Sequence, residues 1–198
     1  RREPVWEVPV VRSYLRRQQP NGSWKYPGGG KAYIRSSENY DTIETYRVLA
    51  DLVEKYGMDR AHPAVEPAAE YLFSSQTHEG DFRGIYGAQY TPNYSAGIME
   101  LLIKAGYATD ARIERGFRWL CSIRQHDGGW AIPVRTRKMN FTEAILNTTE
   151  LIQPDRDKPF SHLVTGVVLR AFAAHPVYRA CPEAKQAGLL LASRFFKP

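Results

Sequence analysis

A chain of 198 residues is long enough for one sizeable core and short for two. Its composition, 43% hydrophobic and 24% charged, is that of a globular domain and excludes a disordered or low-complexity segment. The formal net charge is +6, but the basic residues are scattered along predicted helices without a groove-reading motif, so no nucleic-acid partner is expected.

Residues 4–19 predict the first helix, with Pro4 in its first turn and Val10, Val11, Tyr14 and Leu15 as an apolar stripe. Pro20-Asn21-Gly22 stops it. Residues 24–37 read as a loop around Gly28-Gly29-Gly30-Lys31. That loop lacks the spacing of a phosphate cradle and follows no apolar strand, so it reads as an insertion. The second helix is predicted over Asp41–Tyr56, with Ile43, Tyr46, Ala50 and Val53 on one face. Asp41 is its expected N-cap, Glu44 stands at capping-box spacing, and Gly57 closes it.

His62-Pro63 opens the third helix, whose stripe is Val65, Ala68, Ala69 and Leu72. The fourth, 92–105, carries Ile98, Leu101, Leu102 and Ala105, and Gly106 ends it. Asp110 caps the fifth, with Ile113, Phe117, Leu120 and Cys121 aligned. Residues 131–159 are a polar insertion with Pro133, Pro154 and Pro159, and a short helix is expected over 141–151. The sixth helix, Ser161–Ala174, is apolar nearly all round and should be buried on most sides. A seventh spans Pro182–Phe195. No strand is needed.

Within this series one unit recurs. Tyr71–Gln76 followed by Glu79-Gly80-Asp81-Phe82 aligns at an offset of 48 residues with Trp119–Gln125 followed by Asp127-Gly128-Gly129-Trp130. A looser copy is Tyr14–Gln19 with Asn21-Gly22-Ser23-Trp24. Such a period marks a repeat architecture. The repeats fall at about 4–57, 62–106 and 110–175, with an incomplete one at 179–198. Odd-numbered helices carry charges beside one stripe and should lie outside; even-numbered ones are more apolar and should lie inside. Hairpins of this kind stack into a curved two-layer array. Gln19, Gln76, Gln125, Trp24, Phe82 and Trp130 are then structural. The Gln side chains satisfy backbone at helix ends, and the aromatics pack between units.

Cys121 and Cys181 read as free buried thiols, which suits a reducing compartment. No apolar run reaches the roughly 18 residues of a membrane span, and no signal peptide is seen. A cytoplasmic or membrane-peripheral location is the expectation, although a chain starting at Arg1 leaves room for a leader or upstream domain. The triplets beginning at Asn21, Asn93, Asn140 and Asn147 read as caps and turns.

The helix–Gln–x–(Asp/Glu/Asn)–Gly–x–(Trp/Phe) unit resembles the QW-type repeat of the squalene and oxidosqualene cyclases. It is also similar to the repeat of the protein prenyltransferase β subunits. The likeness runs from about Val5 to Phe196. It implies an all-α alpha-alpha toroid, whole or partial, with a greasy central pocket for an isoprenoid and chemistry near the N-terminal ends of the inner helices. In the cyclases a protonated Asp of an Asp-x-Asp-Asp motif starts the cascade. This chain offers Glu38-Asn39-Tyr40-Asp41 and Glu44, which is acidic but not that motif. In the prenyltransferases an Asp, a Cys and a His hold zinc. Asp41 and His162 open inner helices here, but Tyr94-Ser95 stands where a Cys would be needed, so no metal and no cofactor are expected.

The candidate catalytic residues are therefore Asp41, Glu44 and His162. For ligand binding, Tyr40, Tyr90, Tyr94 and Ser95 offer walls, and Arg135, Arg137 and Lys138 offer charge for a lipid diphosphate. The favoured expectation is an isoprenoid-handling cyclase or prenyltransferase relative, or a portion of one. The partner is then an isoprenoid or other apolar small molecule. Peripheral membrane contact, and a second copy or a remainder to complete the ring, are further expectations. The alternatives are a non-catalytic helical interaction module and a toroid acting on polysaccharide through Tyr94, His162 and Arg135.

Overall fold

The computed structural model describes residues 4–28, 39–140, 144 and 150–195. Gly29, Gly30, Lys31, Glu38, Phe196 and most of the helix expected over 141–151 lie outside them. The described residues form helices and no strand. The helices are α1 (Pro9–Arg17), α2 (Tyr40–Ala50), α3 (Val65–Phe73), α4 (Pro92–Leu102), α5 (Ala111–Ser122), α6 (Pro133–Thr136), α7 (His162–Ala174) and α8 (Pro182–Phe195). The chain is an all-α fragment of an alpha-alpha toroid. The inner helix α4 packs against α2 and most extensively against α7, while α3, α5 and α8 back the inner helices from outside.

Several boundaries move for local reasons. The first helix begins at Pro9, not near Pro4, because the residue before a proline is kept out of the helical region. Val8 is accordingly extended (φ −57°, ψ 127°), and Val5–Glu7 make only a 3-10 turn. Asn39, not Asp41, caps α2; its side chain accepts from the Thr42 N–H at 3.2 Å. The third helix starts at Val65, after a turn in which His62 Nδ1 accepts from the Ala64 N–H. Both α2 and α4 run on into one π-type turn, and each ends at a glycine with positive φ, Gly57 and Gly106. Asp110 caps α5 as expected.

The core runs through both layers. It includes Leu49, Leu52, Leu72, Ile98, Leu102, Phe117, Leu120, Trp130 and Phe172. On α4 every residue from Ser95 to Leu102 is buried. The other apolar inner helix differs from expectation. On α7, Val164, Thr165, Val168, Ala171 and Phe172 are buried, but Leu163 is 75% exposed; among the described residues α7 packs most extensively against α4 and then α8.

The three turns share one hydrogen-bond pattern. The backbone N–H of Gln19, Thr77 and Gln125 donates to the carbonyl four residues on, at Ser23, Asp81 and Gly129. The side chain just before each donates to the turn glycine's carbonyl: Gln18 to Gly22, Gln76 to Gly80, and Arg124 to Gly128. The backbone N–H of Trp24, Phe82 and Trp130 reaches an inner-helix hydroxyl, Thr45, Ser95 and Thr165, at 2.9–3.0 Å. The indoles of Trp24 and Trp130 donate back to Tyr14 and Leu120 carbonyls, both at 2.8 Å. Of the three glutamines grouped in the sequence, Gln76 thus stands one residue out of register with Gln19 and Gln125. Gln18 matches Gln76, while Gln19 matches Thr77 and Gln125.

Candidate ligand site

The third turn builds a cleft. Gln125 Nε2 donates to the carbonyls of Asp155 and Lys158, both at 2.8 Å. This ties the end of the inserted segment to the turn. The Trp130 carbonyl accepts from the Ser161 N–H at 2.8 Å, which sets the start of α7 beside the turn. Thr136 Oγ1 donates to the Pro133 carbonyl and accepts from the Asp155 N–H at 2.9 Å, so α6 is fixed to the same segment. Between these pieces lies a cleft of about 490 Å³ with Ala131, Ile132, Pro159, Leu163 and Val164 on its walls. That volume falls in the ~300–1,000 Å³ span of small-molecule sites.

Its lining also carries positive charge. Arg135, Lys138 and Lys158 belong to it. Lys158 stands 3.9 Å from Asp155, and among the described residues no ion pair engages Arg135 or Lys138. Lys138 has φ +56°, a left-handed conformation that turns the chain at the end of α6. Ser161 caps α7, so the positive end of a 13-residue helix also borders the cleft.

The other residues singled out in the sequence are dispersed. Arg137 is not part of this lining; its Nε donates to the Gln153 carbonyl. Asp41 accepts from the Tyr26 N–H, and Glu44 is buried in a two-bond salt bridge to Arg47. Both stand on α2, whereas His162 opens α7, between the rings of Phe160 and Phe195. His162 lines a separate groove with Leu163, Val167, Leu191 and Phe195. Tyr40 lies against Tyr26, and Tyr94 is edge-on to Tyr86. Tyr90 is buried edge-on to Trp119. Burial, reinforced by Asp81 and Glu79, pushes its phenol up to about 12. Ser95 is fully buried and holds the Phe82 N–H. No group of three or more metal-ligating side chains occurs among the described residues.

Sequence reasoning missed Lys158, Ile132 and Leu163 for the cleft, and Gln18, Arg124, Thr45 and Thr165 for the turns. The 48-residue offset was a usable signal: carried strictly, it pairs Gln76 with Arg124.

Stacked helical hairpins with glycine–aromatic turns, and a cleft at the inner-helix starts, define a toroid of the terpenoid-cyclase type. Residues 38–149 match the Squalene-hopene cyclase C-terminal domain, and the chain belongs to that family. A squalene–hopene cyclase of Zymomonas mobilis is 24% identical over 89 residues. The matched stretch is 45% of this chain but only 14% of that relative.

Proposed function

We propose that this chain is part of the isoprenoid-handling machinery of a terpene cyclase-like protein, and that it takes a prenyl chain in the cleft between α6 and the start of α7. The observation that carries this reading is the apolar wall of Ile132, Leu163 and Val164, open at the end of an inner helix. Family membership supports it, since the related Zymomonas protein is named for squalene and hopene. The reading assigns binding, not cyclisation, to the described residues. A cyclising acid must be a neutral carboxyl strengthened by neighbours. Asp41 and Glu44 are instead engaged with a backbone N–H and with Arg47.

Titration with farnesol and geranylgeraniol, followed by tryptophan fluorescence, tests it. Trp130, buried and next in sequence to Ala131 of the lining, is the reporter. Saturable binding that Leu163→Asp weakens about tenfold supports the reading, because the variant puts a charge on an apolar wall. No saturable change with either prenol, in a sample of native helical content, overturns it.

A further inference from the structure

Two thiols outside the cleft are brought onto facing surfaces. Cys121 stands on α5, and Cys181 stands in the link between the 3-10 turn Tyr178–Ala180 and α8. Contacts on both sides of the pair hold these two stretches together. One turn before Cys121, the Phe117 ring stacks on Tyr178 with centroids 4.1 Å apart. Three residues after Cys121, Arg124 donates to Gln186 Oε1 at 2.9 Å. Cys181 lies between Tyr178 and Gln186 as Cys121 lies between Phe117 and Arg124. The cysteines are the middle rung of a ladder whose outer rungs are already joined. Both are half-buried against the same core, so solvent still reaches each of them. The sulfurs also act on one another: burial, then Glu183 and Cys181, pushes the Cys121 thiol up to about 11.

We propose that Cys121 and Cys181 form a reversible disulfide, a redox-dependent tie between α5 and the start of α8. Cys181 is the attacking thiol. Burial holds it up, but the N–H groups of Ala184 and Glu183 at the start of α8 favour its thiolate. It stands outside a helix with extended backbone (φ −68°, ψ 155°), where the chain can adjust to bring its Cβ within the ~3.5–4.5 Å of a disulfide. The oxidant is a small-molecule disulfide. The Cys181 thiolate attacks one of its sulfurs, the S–S bond of the oxidant breaks, and one thiolate leaves. The Cys121 thiolate then attacks the Cys181 sulfur of the mixed disulfide and expels the second thiolate. Two protein thiols lose two electrons and two protons, and the oxidant becomes two thiols. The loop closed by this bond carries the third turn, α6 and α7, so oxidation fastens the pieces that build the cleft.

The test is incubation of the whole chain with glutathione disulfide at pH 8, read by intact mass and by mapping of linked peptides. It is run on the native protein, on Cys121→Ser and on Cys181→Ser, with circular dichroism confirming the fold of each. The expected product is a single chain that has lost two hydrogens, with the Cys121 and Cys181 peptides joined and both thiols restored by dithiothreitol. Its thermal midpoint rises by about 5–15 °C, because the bond constrains a long loop of the denatured chain. Cys121→Ser stops at the mixed disulfide on Cys181, and Cys181→Ser takes up glutathione about tenfold more slowly. Several outcomes on the unsubstituted protein overturn the proposal, whatever the variants do. These are stable glutathione on both cysteines, a link only between chains, a link that forms only in urea, and no reaction at all. A linked chain whose midpoint does not rise overturns the tie between the two elements. Equal rates in the two variants overturn the order of attack.

Discussion

Single side chains in this molecule have separable tasks. Trp130 is fully buried, and its indole N–H meets the Leu120 carbonyl. Phe82 fills the equivalent position without that bond. Trp130→Phe should therefore cost only about 1–2 kcal/mol, from a lost hydrogen bond and some volume, whereas Phe82→Ala should cost about 3–5 kcal/mol. Urea unfolding of the two variants measures the difference. Tyr90 sets an alkaline limit. Its folded-state value of about 12 lies above the ordinary 10.0, because burial favours the neutral phenol. Its stabilising contribution is complete below pH 10 and is lost as pH rises through 12. Burial also raises Tyr46, Tyr107 and Tyr178, so absorbance at the phenolate band should show several tyrosines titrating late, and Tyr90→Phe should remove the part of the rise near pH 12. Cys121 behaves similarly: burial pushes its thiol up to about 11. Its alkylation should be slow at pH 8 and accelerate as pH approaches that value, because only the thiolate reacts. Full reaction within the time a free cysteine needs at pH 8 would contradict the burial.

At the scale of the element, the turn is the unit of construction. Each turn uses one side-chain donor to the glycine carbonyl, one inner-helix hydroxyl to the aromatic N–H, and one glycine in the left-handed region. At Gly80, φ is +121° and a Cβ would stand 2.6 Å from the Arg115 carbonyl oxygen. The third turn uses Arg124 where the others use glutamine. Arg124→Gln should stay within about 0.5 kcal/mol of the parent, and Arg124→Ala should lose about 1–3 kcal/mol by leaving the Gly128 carbonyl with no side-chain donor. Equal losses would show that the donor is dispensable. The same turns explain what was legible in the sequence. Gly22, Gly80, Gly128 and the aromatics stand out because backbone conformation and core volume admit few alternatives there. The hydroxyls Thr45, Ser95 and Thr165 do not stand out, since any of many serines and threonines fits a helix equally well until the turn is folded against it. The register of Gln76 is of the same kind: it stands at the place of Gln18 and Arg124, with Thr77 at that of Gln19 and Gln125, and one glutamine near a helix end looks like another until its side-chain bonds are formed.

The whole molecule is two layers of helices whose starts on one side meet an inserted segment. Its layering was legible, because alternation of charged and apolar helices follows from which layer faces water. Its cleft was not. The cleft depends on how residues 150–160 return to the third turn, and no periodicity encodes a return path through irregular chain. Arg135, Arg137 and Lys138 look equivalent in sequence, yet the bond to Gln153 takes Arg137 out of the set. Lys158 joins from 20 residues farther along. The exposed Leu163, Val177, Leu189 and Phe195 belong to α7, α8 and their connection, and Leu163 and Phe195 line one groove there. It is also where a prenyl chain could bind in the wrong place, beside His162 and Leu191. The measurement that separates the two sites is photo-crosslinking with a diazirine-bearing prenol, followed by mapping of the labelled peptides. The account predicts label on the segments holding Ile132 and Val164, removed by excess farnesol. Label confined to Leu191 and Phe195, or spread without competition over the outer helices, would contradict it.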